Sequence, residues 1–328
     1  MNPNVRTPAL RTPALGTLTR RRFLLAVAAV GVLGRVHTQR WEWRGSAMGA
    51  EARMVLTGPR DQAEAALADV VAEINRLEDI FSLHRPGSQL SRLNAGGMLD
   101  TPSRDLSDAL AASARWKRQT GGAFDPAVQP LWQHWAEGAA GSVQVALDRV
   151  RNAEIAITPG RITLSPGTAL TLNGIAQGIV ADRVAGLLIR RGFTPPLIDA
   201  GEMRLPGSER RAVDLPEARR RLYLAETAVA TSAPAALSFD ATGATTNGRH
   251  HLFDPQNGDS PGWWRSVTVI APTAEMADAL STGFAVSPPE LVGDLAASLA
   301  DVAVVATSRL GEIRTYGASH LLSENATT

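Results

Sequence analysis

Cysteine is absent from all 328 residues. That excludes disulfides, thiolate zinc sites, a nucleophilic cysteine and a cysteine-linked lipid anchor, so the chain is not a lipoprotein. Aromatic residues are scarce at 5%. Lysine occurs once, as Lys117, and every other strong base is arginine; that skew reads as coding bias and carries no functional meaning. Neither standard glycine-rich phosphate loop is present, nor is a His-Glu-x-x-His zinc motif. A basic block is also missing from the body. The formal net charge of +1 hides seven arginines and no acids within residues 1–40, and the remainder holds 26 bases against 32 acids. A mildly acidic body gives no reason to expect nucleic acid as a partner.

The apolar fraction is 44%, enough for a sizeable core. Near the N-terminus, "TRRRFLL" leads into "AVAAVGVLG". The apolar run from Phe23 to Gly34 is too short to cross a hydrocarbon core of about 30 Å as a helix. Consecutive arginines before a short apolar run fit a twin-arginine export signal. Residues 1–38 are therefore expected to be a signal segment and residues 39–328 the functional domain, working in the periplasm.

Within that domain, residues 39–58 alternate apolar and polar side chains around "SAMG" and predict two strands. Residues 61–84 carry apolar side chains at Ala66, Leu67, Val70, Val71, Ile74, Leu77, Ile80 and Phe81. This is helical spacing, with Asp61 as the expected N-cap. Further helices are expected over 106–122, 174–193 and 273–286, the last capped by Thr273. Short strands around Pro-Gly turns are expected over 153–174, and strands over 220–232, 250–255 and 264–272. Strands and helices mix without a βαβ rhythm, which favours an α+β fold of mixed sheets with packed helices.

Four constellations carry chemical possibilities. Asp278 and Thr282 lie four residues apart, on one helix face; a carboxylate and a hydroxyl suit a hard cation, although a solvated polar stripe has the same pattern. "TLNGIAQG" opens a helix whose N-terminus can face phosphate, but glycines there also serve packing. "GGAFDPAVQPLW" can hold a heterocycle beside Phe124, or be a plain buried loop. "RHHLFDPQNG" sets two histidines before a turn, either as a proton acceptor or as an ordinary strand end.

Taken together and in order, "SAMG", "IFSLHRPGSQLSRLN", "GGAFDP", "NGIAQG", "IDAGE", "VATS", "HHLFDPQNG" and "SVTVIAPTAEMADALST" resemble the ApbE family of FAD:protein FMN transferases, over about residues 45 to 315. The resemblance implies an ApbE-like flavin transferase fold, FAD as substrate, Mg²⁺ as cofactor, and transfer of FMN to a threonine or serine hydroxyl with release of AMP. It implies His251 as general base, and His250 as a strand-face neighbour. It implies Asp278 and Thr282 as metal side chains, with Gly174 and Ser281 contributing to the same shell. Met48, Ala123, Phe124, Asp125 and Leu252 match flavin or adenine contacts.

Three positions depart from the family pattern. His84 stands where many relatives carry tyrosine, Thr171 where aspartate is common, and Gln177 where lysine or glutamate is common. These bear on FAD affinity more than on phosphoryl chemistry. The "TLNGIAQG" variant is similar to the NosX-like branch, whose acceptor is the membrane-bound flavoprotein supporting nitrous oxide reductase. FAD hydrolysis to FMN and AMP, or FAD carriage without catalysis, are the alternative readings.

Overall fold

The computed structural model describes residues 39–137, 141–195, 197–234 and 250–324. The expected signal segment, 1–38, lies outside them.

Strands β1 (Arg40–Ala47) and β2 (Ala50–Thr57) form the expected hairpin, closed by an Ala47–Ala50 pair. The two-residue turn is Met48–Gly49, with φ of +50° and +84°. Two positive φ values match the twist of the flanking strands in a type I′ hairpin. Gly49 adopts this freely, whereas Met48 adopts it against the clash of its own Cβ.

The hairpin forms one edge of an eight-stranded sheet. Beyond β2 come β6 (Ile198–Asp199), β7 (Met203–Leu205), β10 (Thr227–Ser232), β11 (Trp264–Ala271), β12 (Ala303–Ser308) and β13 (Ile313–Gly317). Every neighbouring pair in it is antiparallel. A second sheet orders β3 (Met98–Asp100), β5 (Arg161–Leu164) and β4 (Ile155–Thr158). A two-stranded ribbon pairs β8 (Arg211–Leu215) with β9 (Arg220–Leu224). The mixed α+β architecture expected from the sequence is therefore present.

Helix α1 (Arg60–Phe81) buries Ala63, Ala66, Leu67, Val70, Ile74, Leu77, Ile80 and Phe81, one stripe at helical spacing. Its N-cap is Pro59, not Asp61. The cap lies two residues earlier than expected, and Asp61 sits inside the first turn, where its charge favours the helix dipole. Helices α2 (Gln89–Gly96), α3 (Arg104–Gln119), α4 (Gln129–Ala136) and α5 (Val143–Arg151) follow. Ser88, Ser103 and Ser142 cap α2, α3 and α5 through their hydroxyls.

Helices α6 (Ala176–Arg190) and α7 (Ala274–Ala285) form the centre. Helix α7 is buried on nearly every side, with Leu280 and Phe284 fully enclosed; each contributes about 1.5–3 kcal/mol by leaving water. A Cβ at Gly178 of α6 would lie 2.2 Å from the Ala274 carbonyl oxygen, so glycine permits the close crossing of the two helices. Asp182 of α6 accepts the Ala274 and Glu275 amides at 3.1 and 3.0 Å, and Thr273 accepts the Met276 amide at 3.3 Å. The start of α7 is thereby capped from two sides. Helix α8 (Pro289–Ser298) precedes β12.

The expected strand over 250–255 does not form. His250 makes an isolated bridge, and the chain then turns. Asp254 accepts the Gln256 amide through its side chain at 2.8 Å and the Gly258 amide through its carbonyl at 2.8 Å. Local aspartate turn chemistry, together with a proline that has no N–H to donate, overrides the apolar alternation.

Candidate functional site

Asp278 and Thr282 project from α7, one turn apart, towards the start of α6. Asp278 is almost fully buried, and its Oδ2 accepts the Gly178 amide at 2.9 Å. Its other carboxylate oxygen takes no hydrogen bond among the described residues. Burial pushes its pKa up to about 7, against the opposing pull of the Gly178 N–H. Gly174 lies directly against Thr282: a Cβ there would fall 2.8 Å from both Oγ1 and Cγ2. Gly174, Asp278 and Thr282 are thus brought together. The Ser281 hydroxyl, buried on the same helix, pairs with Ser232 Oγ of β10 at 2.9 Å and donates to the Asp278 carbonyl at 3.1 Å. It faces the sheet.

Among the described residues no three His, Cys, Asp or Glu side chains gather as a metal centre. The α6–α7 donor set instead combines one carboxylate, one hydroxyl and the backbone beside a glycine. Hard oxygen ligands in that number fit a magnesium-sized cation that completes its shell with phosphate oxygens and water.

The Ala123–Asp125 loop packs on the next turn of α7. A Cβ at Gly283 would fall 3.2 Å from Phe124 N and Cβ. The Phe124 amide is held by Thr120 Oγ1 at 3.0 Å. Asp125 accepts the Ala127 amide at 2.9 Å and pairs with Lys117 at 2.6 Å, which fixes the loop. Thr171 joins it through its amide, donated to the Pro126 carbonyl at 2.7 Å. Gln177 borders Gly201, whose φ is +94°, and Ala50 adjoins the same glycine. Met48 donates its amide to Glu78 Oε1 at 2.9 Å. His84 is exposed, with its amide bonded to Ser82 Oγ at 3.0 Å.

The histidine turn docks on the Phe124 loop: the Gln256 side chain donates to the Gly121 carbonyl at 3.0 Å. His250 is buried, with its Nε2 3.0 Å from the Pro261 carbonyl and its Nδ1 accepting the Leu252 amide at 3.2 Å. Those partners define the neutral Nε2–H tautomer. Burial lowers its pKa below the usual 6.5, and the nearby His251 and Arg309 charges act in the same direction. A ring with both nitrogens engaged and a depressed pKa is a poor proton acceptor. His251 is half-buried, with its ring 6.5 Å from that of His250.

Two buried carboxylates escaped the sequence reading. Glu202, after Gly201 in "IDAGE", is held well above the usual carboxylate range by burial and by the Asp278 charge, with Asp199 adding to it. Asp199 is itself raised by burial. An acid inside the apolar "PPLIDAGEM" was the available signal.

The fold and the α6–α7 oxygen set define a class first: an α+β protein whose central helices gather hard donors at a glycine-lined crossing. The profile of the ApbE family matches residues 48–306, and the chain belongs to that family. Similar proteins include FAD:protein FMN transferases of Haemophilus influenzae, 26% identical over 68% of this chain and 70% of that one, and of Klebsiella pneumoniae, 29% identical over 75% and 78%. Solved structures sharing the fold include the flavin transferase ApbE of Vibrio cholerae, with a TM-score of 0.71 and 22% identity over 87% of this chain and 98% of that one. The ApbE protein of Thermotoga maritima aligns with a TM-score of 0.76 and 23% identity over 88% and 100%. The ApbE-like fold expected from the motifs is the fold observed.

Proposed function

We propose that this chain is a Mg²⁺-dependent FAD:protein FMN transferase acting on a serine or threonine hydroxyl of a periplasm-facing electron-transfer protein. The observation that carries this reading is the convergence of Gly174, Asp278 and Thr282 at the α6–α7 crossing. These residues would hold the cation, which when bound neutralises pyrophosphate charge and polarises phosphorus. His251 accepts the proton of the incoming hydroxyl, whose oxygen forms a bond to the FMN phosphorus as the pyrophosphate P–O bond breaks and AMP leaves. His250 keeps the turn in place, its nitrogens committed to Pro261 and Leu252. The Phe124 loop, Leu252, Met48 and His84 supply flavin and adenine contacts, with Thr171 and Gln177 at the rim.

The acceptor is an exported flavoprotein, and a membrane-bound one of the kind that supports nitrous oxide reductase fits the "TLNGIAQG" variant. Residues 1–38 would direct export; Arg21→Lys with Arg22→Lys should leave full-length precursor in the cytoplasm, and a correctly processed periplasmic product from that variant would remove the twin-arginine assignment. No described helix is long and apolar enough to cross a membrane.

The test of the activity is incubation with FAD, Mg²⁺ and a purified threonine-bearing acceptor domain, followed by intact-mass spectrometry. An FMN adduct with matching AMP is expected. AMP and free FMN without an adduct would identify a hydrolase, and unchanged bound FAD a carrier.

A further inference from the structure

Glu78 lies on α1, and its side chain is only 14% exposed, so water does not readily replace its bonds. One oxygen accepts the amide of Met48 at 2.9 Å. The other is paired with Arg85. Arg85 is the residue after His84, and it also donates to Asp79 Oδ1 at 2.6 Å and to Asn75 Oδ1 at 3.3 Å. The segment between is folded back on the helix end: the Ser82 amide bonds to the Glu78 carbonyl at 3.1 Å, and Ser82 Oγ accepts the His84 amide at 3.0 Å. One carboxylate therefore ties together two segments distant in sequence, the hairpin tip and the loop after α1.

The strain at the hairpin tip gives this tie a purpose. A type I′ turn is normally filled by Asn, Asp or Gly at its first position. Here methionine occupies it at φ +50°. A bulky side chain held in the left-handed region marks a position where that side chain is wanted. Its amide then needs a fixed acceptor, and a charged acceptor braced by an arginine is the stronger kind.

We infer that Glu78, braced by Arg85, is a positioning residue for FAD: it locks the Met48 turn and the His84 segment in the arrangement that receives the flavin. This rests on the reading of Met48 and His84 as flavin contacts. Releasing the lock lets Met48 relax out of the left-handed conformation, whose cost corresponds to about five- to thirtyfold in an equilibrium.

The experiment is titration of the full folded domain with FAD at saturating Mg²⁺, followed by flavin fluorescence, alongside melting without FAD. Glu78→Ala should weaken FAD binding by about five- to thirtyfold. Glu78→Gln keeps an amide oxygen for the Met48 N–H but loses the Arg85 ion pair, and should recover only part of that loss. In a Met48→Gly background, where the turn needs no lock, Glu78→Ala should add little further loss. Wild-type FAD affinity in Glu78→Ala, whatever its melting temperature, overturns the inference, and so does an equal loss in both backgrounds. Should Glu78→Ala fail to fold, Arg85→Ala carries the test, and wild-type affinity there overturns it. If the unmutated protein itself does not bind FAD, the flavin reading falls and this inference with it; if it binds and the variants match it, only the positioning role falls.

Discussion

Gly174→Ala strains the site where the α6 start lies against Thr282. The new methyl would meet Thr282 Oγ1 and Cγ2 at 2.8 Å and its Cβ at 3.1 Å. Unbonded carbons rest about 3.5–4.0 Å apart, so the two backbones must part by about half an ångström or more. Rotating Thr282 does not clear the contact, because its Cβ is among the crowded atoms and β-branched side chains in helices have one or two usable rotamers. Overpacking of this kind costs about 1–3 kcal/mol. If the cation site bears that cost, half-saturation by Mg²⁺ rises by about five- to 150-fold. The assay is calorimetric Mg²⁺ titration in the presence of FAD, with AMP release in parallel.

Gly178→Ala probes the same crossing through stability. Its methyl meets backbone, 2.2 Å from the Ala274 oxygen and 2.8 Å from the Glu275 nitrogen. It should force α6 and α7 apart and lower the melting temperature by about 4–8 °C, for about 2 kcal/mol. Gly174→Ala with unaltered Mg²⁺ half-saturation would refute the placement of the cation between Gly174 and Thr282.

His251→Ala should reduce transfer by about 10²–10⁴-fold while FAD still binds; unaltered transfer would remove His251 from the chemistry. His250→Ala should instead act on stability, costing about 1–2 kcal/mol at pH 7.5 through the lost Pro261 and Leu252 bonds. Burial depresses the His250 pKa below 6.5, so the unfolded chain takes the proton first. Its stabilising contribution is full above pH 6.5 and is lost as pH falls through the folded value. Melting temperature between pH 7.5 and 5 should therefore fall less steeply in His250→Ala than in the unmutated protein, and parallel slopes would contradict this. Asp182→Ala removes two acceptors at the start of α7 and the Arg204 pair at 3.2 Å; a loss of about 2 kcal/mol is expected, read by chemical denaturation, and no change would show that Thr273 alone caps the helix.

The helices that set the site were legible because their apolar spacing is helical and their glycines mark close approach. Asp278 and Thr282 share a face by arithmetic alone, and Thr273 caps α7 as its position suggested. Local turn chemistry was less legible: "HHLFDP" reads as a strand running up to the turn, whereas only His250 pairs, and Pro59 takes the cap from Asp61. Helices α4 and α5 are short, and the first begins with a glutamine and a proline, so periodicity had little to act on. Glu78, Glu202 and Asp182 owe their roles to partners 30 or more residues away or to burial. Such pairings exist only once the chain is folded.

Crystals grown with FAD and soaked in Mn²⁺, whose anomalous scattering locates the ion directly, examine the centre of this account. A manganese peak touching Asp278, Thr282 and the Gly174 carbonyl, with the FAD phosphates on its open side, is the predicted result. A peak bound elsewhere, or FAD seated with its phosphates away from the α6–α7 crossing, would contradict it.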